Sequence, residues 1–176
     1  MSLTIGSNTY VTVDEADAYI TGNFLPNDKQ RGAWEAMDAG DKEICLRRAC
    51  FRLERLKYRG VKFAFPQALS FPRFFGANYA MISGVLYAPE ADRYPELKEV
   101  PQAVKAAQVE EAIEIAAPTK ATEDREIRNG AVQSYSIGHM SESFAVATAG
   151  SVAAVLASGA AQEYIARYTG GGYELV

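Results

Sequence analysis

Apolar residues recur along this chain with helical spacing in four stretches before residue 120, and with strand spacing in one stretch after it. Thr12-Val13-Asp14-Glu15 reads as a capping box, in which Thr12 accepts from a first-turn amide and Glu15 reaches back. The box predicts a short helix over 15–21, with Ala16, Tyr19 and Ile20 apolar and Tyr10 placed to staple onto it. Pro26-Asn27-Asp28 breaks the chain, and a second short helix over 29–37 carries Trp34 before Ala39-Gly40 ends it. Asp41 then caps the clearest helix, 42–59, with Gly60 as its stop. At about 100° per residue, Leu46, Ala49, Cys50, Leu53 and Leu56 share one broad apolar face. Ile44, Phe51 and Tyr58 form a narrower second stripe. Arg48, Arg52, Arg55 and Arg59 form a third, within about one-sixth of the circumference.

Residues 61–100 lose this periodicity. Pro66, Pro72, Pro89 and Pro95, with Gly76 and Gly84, predict a long loop, unusual for its aromatic content at Phe71, Phe74, Phe75, Tyr79, Tyr87 and Tyr94. Such a loop is expected to pack on its own domain or on a partner. Pro101 opens a further helix to about 117, with Val104, Ala107, Val109, Ala112, Ile113 and Ala116 buried and Glu110, Glu111 and Glu114 as an acidic surface. Period-two alternation predicts a β-hairpin over 132–146, turning at Gly138-His139. A last helical region lies over 152–168, broken at Gly159. These elements define a mainly α (α+β) fold: a helical bundle with a small β-hairpin and a long aromatic loop. It forms a single domain over 1–176, with a helical body at about 10–117 and a hairpin and C-terminal helical extension at about 130–170.

Composition changes the picture little at first. The 176 residues include 48% apolar and 23% charged positions and a net charge of −4, which argues against intrinsic disorder and against a wholly basic nucleic-acid binder. The N-terminus has no basic segment followed by an apolar run, so no signal peptide is expected. Ser143–Gln162 carries no charge, but its small residues bring little transfer energy, and it reads as a buried segment instead of a membrane span. Cys45 and Cys50 lie five apart on one helix, on different faces. They are expected to be reduced core thiols in a cytosolic product.

No phosphate-binding loop, dinucleotide fingerprint or nucleophile elbow occurs. His139 has no companion at metal-ligand spacing. The expectation is a non-enzyme with no metal and no cofactor.

Charge position is more informative than its sum. Between Arg47 and Lys62 stand seven basic residues and one acid, a local net of +6, leaving −10 on the rest of the chain. The row Arg48, Arg52, Arg55, Arg59, extended by Lys62, suits a phosphate backbone, an acidic neighbouring subunit, or a solvated face with salt bridges inside the chain. Phe51 and Tyr58 border this row and are expected to pack in the core. By the same reasoning Leu53→Ala should cost about 2–5 kcal/mol, whereas Arg52→Ala should change stability little.

The segment Tyr10-Val-Thr12-Val-Asp-Glu15-Ala16-Asp-Ala-Tyr19 resembles the opening of small tailed-phage head–tail connector, or head-completion, proteins, some of whose relatives are labelled DnaT-like single-stranded-DNA-binding proteins. Trp34, Gln67-Ala-Leu69-Ser-Phe71-Pro72-Arg73 and Val100-Pro101 follow in the same order. The stretch from Phe74 to Glu99 is longer than the resemblance implies. The resemblance implies a structural virion protein assembled in the bacterial cytoplasm. It would form a homo-oligomeric ring between portal and tail proteins, with DNA passing through the channel. The alternative it carries is a single-stranded-DNA-binding accessory protein using the arginine-rich helix 42–59.

Overall fold

The computed structural model describes residues 2–64, 66–76, 79–88, 98–120, 134–137, 140–143 and 152–169. Helix α1 runs Val13–Asn23 behind the complete capping box: the Thr12 hydroxyl accepts from Glu15 N and the Glu15 carboxylate accepts from Thr12 N. Asp28 caps α2, Lys29–Glu35, by accepting from Gln30 N. Helix α3 is Ala39–Glu54. Its cap is Asp38, accepting from Asp41 N, so it starts earlier than 42 and Gly40 lies inside its first turn. It also ends earlier than 59: Arg55 is its C-cap, Leu56 N donates to Leu53 O, and Gly60 turns with φ 71°.

The predicted long loop contains structure. Strand β1 (Val61–Lys62) pairs with β2 (Arg73–Phe74), and β3 (Ala80–Ile82) pairs with β4 (Val85–Tyr87), both antiparallel. An antiparallel bridge from Ala64 to Val85 joins the two pairs. Its aromatics divide. Phe71 is buried in the main core and Phe74 in a small cluster with Leu86 and Ala88, whereas Phe75, Tyr79 and Tyr87 are exposed.

Helix α4, Gln102–Ala116, takes Pro101 as its N-cap residue and is buried on most of its circumference. It packs against α3 on one side and, on another, against α6 (Gly159–Ala166), which follows the single turn α5 (Val152–Val155). A helix covered on most of its circumference sits at the centre of a bundle. Leu53, Val104, Ala107, Leu156 and Ile165 form one core cluster, and Ile20, Trp34, Leu46, Val109 and Ile113 a second. The C-terminal helices therefore share the main core. Strands β5 (Ser134–Ile137) and β6 (Met140–Ser143) pair antiparallel within the predicted 132–146 hairpin. Gly138 and His139, predicted at its turn, lie outside the described residues. Among the described residues no helix is long and apolar enough to cross a membrane.

Buried polar groups tie these helices together. Gln108 on α4 is fully buried; its carbonyl accepts from Tyr10 N at 2.8 Å and its amide donates to Thr9 Oγ1 and Leu46 O. The acidic surface expected on α4 is not a surface. Glu111 and Glu114 are buried and Glu110 is half-buried. Glu111 accepts from Ala157 N and Ser158 N at the start of α6, which explains how a carboxylate is tolerated there. Cys45 and Cys50 are buried free thiols, and burial, reinforced by Glu54, pushes Cys50 up to about 12.

Candidate nucleic-acid interface

The arginine row predicted on one helix divides in three. Arg48 and Arg55 are exposed and, among the described residues, make no ion pair. Arg52 turns inward: its guanidinium donates to Glu111 Oε1 at 2.6 Å, and Glu111 is 0% exposed. Arg59 lies beyond the helix end, exposed, with its backbone N–H donating to Tyr168 O at 2.9 Å. Lys62 is half-buried on β1 and donates to Gln67 O at 3.2 Å. The sequence placed Arg52 and Arg59 on the same stripe because it assumed an unbroken helix with an uncovered outer face. Neither condition holds.

The aromatic neighbours divide as well. Tyr58 packs edge-on to Phe71 at 4.7 Å between centroids and donates to Leu53 O. Phe51, expected in the core, is 68% exposed, and Ile44 is 44% exposed. Ile44, Arg48, Phe51 and Arg55 stand at i, i+4, i+7 and i+11, so they share one outward face. The signal was in the sequence: Phe51 lies nearer the exposed arginines than the apolar face of Leu46, Ala49 and Leu53. What hid it was the default that places aromatics inside. The face alternates apolar and cationic groups, with Arg48 and Arg55 about 10 Å apart along the axis and Phe51 between them. Arg47 flanks it, 3.9 Å from Glu43.

The other motif residues prove to be architecture. The Tyr10 hydroxyl donates to Glu54, whose other oxygen accepts from Ser70 N and Oγ, each at 2.9 Å; burial and Glu54 together push the phenol pKa far up. Phe71 N donates back to Tyr10 Oη, and Phe71–Pro72 is a cis peptide. The Gln67 amide donates to Leu69 O and Pro72 O, shaping that turn from inside. Arg73 donates to the carbonyls of Tyr58, Arg59 and Gly60, closing the chain where α3 has ended. Trp34 donates to Asp17, and Asp17 also takes Lys42 at 3.0 Å. Glu15 pairs with Lys105 at 2.8 Å, which holds its carboxyl below the usual range. Tyr19 donates to Glu110 at 2.8 Å, while burial raises the Glu110 carboxyl. Tyr19 and Tyr164 border a groove of about 730 Å³ between α1, α4 and α6. Its charged lining is balanced, Glu15 and Glu163 against Lys105 and Arg167, so the groove has no net charge to draw a polyanion.

Fold and site together define a mainly helical protein with small antiparallel strand pairs, displaying an exposed cationic, aromatic-bearing face on α3. Residues 2–175 match the family model described as "Putative DnaT-like ssDNA binding protein", and the chain belongs to that family. No curated protein matches the chain. No solved structure matches it either.

The connector-ring reading is thereby corrected: the matching family is the DnaT-like one, and nothing in the comparisons brings in a portal, a tail or a ring. The physical reason is visible. Seven of the shared motif positions, Tyr10, Glu15, Trp34, Gln67, Phe71, Arg73 and Pro101, hold caps, turns and buried hydrogen bonds. Their order reports a fold and carries no information about assembly. Part of the charge split is taken up inside the chain: in the basic segment Arg52 pairs with Glu111 and Arg47 lies 3.9 Å from Glu43, while Asp17 and Glu15 take Lys42 and Lys105.

Proposed function

We propose that this chain is an accessory protein that binds single-stranded DNA across the outer face of α3. The observation that carries this reading is the exposed row Arg48–Phe51–Arg55, in which helical spacing sets an aromatic residue between two arginines on one outward face. Single-strand binders combine cationic tracks for the backbone with aromatic rings on which bases stack. Arg48 and Arg55 would take phosphates, Phe51 would take a base, and Ile44 would extend the apolar strip. Duplex DNA keeps its bases stacked on one another and cannot use Phe51, so the reading favours single strands. The local net of +6 between Arg47 and Lys62 draws the polyanion to this side of the molecule. The family description supports the same ligand.

The test is fluorescence anisotropy of a labelled oligothymidylate and of a matching duplex across a salt series. The single strand should bind more tightly. Phe51→Ala should cost about 1–3 kcal/mol. Arg48→Glu combined with Arg55→Glu should weaken binding strongly and flatten the slope of log K against log salt by roughly 0.7 per phosphate lost. Absence of binding at low salt, or indifference to these changes, would overturn the proposal.

A further inference from the structure

Beyond the end of α3 lies a second cluster of the same chemistry. Phe75 is 43% exposed although it belongs to an aromatic column rooted in the core. Tyr10 meets Phe71 edge-on at 6.2 Å, Phe71 meets Tyr168 edge-on at 5.3 Å, and Tyr168 meets Phe75 at 5.6 Å with a 36° tilt. Arg167 lies over the Tyr168 ring, 4.9 Å from its centroid. Arg59 is bonded through its backbone to Tyr168, which brings a second exposed arginine to the cluster. The backbone of Gly60 runs so close to Phe75 that an added Cβ would stand 2.9 Å from the ring. Phe75 is therefore supported by Tyr168 and by bare backbone while much of its surface stays in solvent. A large apolar ring that is backed by Tyr168 and open to solvent, with Arg167 over that same tyrosine and Arg59 bonded to its backbone, is a preorganised stacking surface.

We infer that Phe75, flanked by Arg59 and Arg167, is a second base-stacking platform, and that a single strand lying on α3 continues around the Gly60 turn onto it. This rests on the reading of α3 given above. The distance is compatible. Phe51 to Arg55 spans about 6 Å of helix axis, and Arg55 to Arg59 at most about 14 Å of chain. Single-strand sites extend over about 4–16 nucleotides, so one strand can cover both platforms.

Oligothymidylates of about 4 and about 16 nucleotides separate the two platforms. For the long oligonucleotide, Phe75→Ala and Arg167→Glu should each lower affinity, Phe75→Ala by about tenfold. For the short one, which α3 alone can hold, either change should have less than about a twofold effect. Phe75→Trp should keep the affinity, and its indole fluorescence should be quenched by the long oligonucleotide. This variant retains the ring, so it reports stacking even if Phe75→Ala perturbs the fold.

Undiminished binding of the long oligonucleotide by Phe75→Ala and Arg167→Glu, with no quenching in Phe75→Trp, would overturn the second platform. The α3 site would survive that result if Phe51→Ala still impaired both lengths. Equal losses at both lengths would also overturn it, because they would merge Phe75 into the α3 footprint. If the wild type binds neither length, the α3 reading fails and this one falls with it.

Discussion

At the scale of single residues, Gly60 shows how tightly the turn after α3 is built. Its φ of 71° lies in the left-handed region, and a Cβ would meet the Phe74 carbonyl oxygen at 2.3 Å. Gly60→Ala should therefore cost at least about 1–3 kcal/mol from backbone strain alone, read as a lower denaturant midpoint. A wild-type midpoint would show that the turn relaxes freely. Glu110 gives a second prediction, in pH. Burial raises its folded pKa, with the Tyr19 hydroxyl opposing, so the folded state holds this proton more tightly than the unfolded one. Stability must then fall as pH rises from the ordinary carboxylate value of about 4.3 through the raised one. Glu110→Gln keeps an acceptor for Tyr19 and removes the titration. It should gain stability relative to wild type between acid and neutral pH, and a pH-independent difference in melts would contradict the assignment. The raised carboxyl was not legible from composition, because Glu110 on a charged helix looks like any solvated acid until α1 covers it.

At the scale of elements, α3 was legible in its apolar face and not in its ends. Leu46, Ala49, Cys50 and Leu53 are all buried, as their spacing required. The end at Glu54 was hidden because Arg55 through Arg59 have good helix propensity. The Tyr58 ring is drawn to Phe71 instead, and tertiary packing overrides local preference there. Arg52 was misread for a related reason: its partner Glu111 comes from a helix 59 residues away in sequence. The expectation that Arg52→Ala is silent is accordingly revised. It leaves a buried carboxylate with only two backbone donors and should cost about 1–3 kcal/mol, against about 2–5 kcal/mol for Leu53→Ala. Equilibrium urea melts of the two variants decide this, and an Arg52→Ala midpoint equal to wild type would refute the inward pairing. The strand pairs within 61–88 were missed because two- and three-residue strands among prolines carry no periodic signal.

At the scale of the whole molecule, the mainly α class with small antiparallel pairs was readable from helix caps and apolar spacing. The motif order carried two labels, connector and DnaT-like, and could not choose between them because the shared motifs maintain the fold; the family match supports the second. The exposed Arg48–Phe51–Arg55 face required the packing of α4 to show which side of α3 is left over. That dependence has a consequence for how the chain comes into being. Gln108 holds Tyr10 from 98 positions away and α3 through Leu46 O. The core clusters that cover the inner side of α3 need Val104, Ala107, Val109 and Ile113. During synthesis the first hundred residues can cover Leu46 and Leu53 only in part, with Ile20, Trp34, Tyr10 and Phe71, and the rest of that face waits until α4 leaves the ribosome. A nascent or truncated chain ending before α4 should present an arginine-bearing helix with a greasy underside. It would be a target for chaperones and nonspecific polyanion contacts, and the completed chain distinguishes its outer face only once α4 has docked.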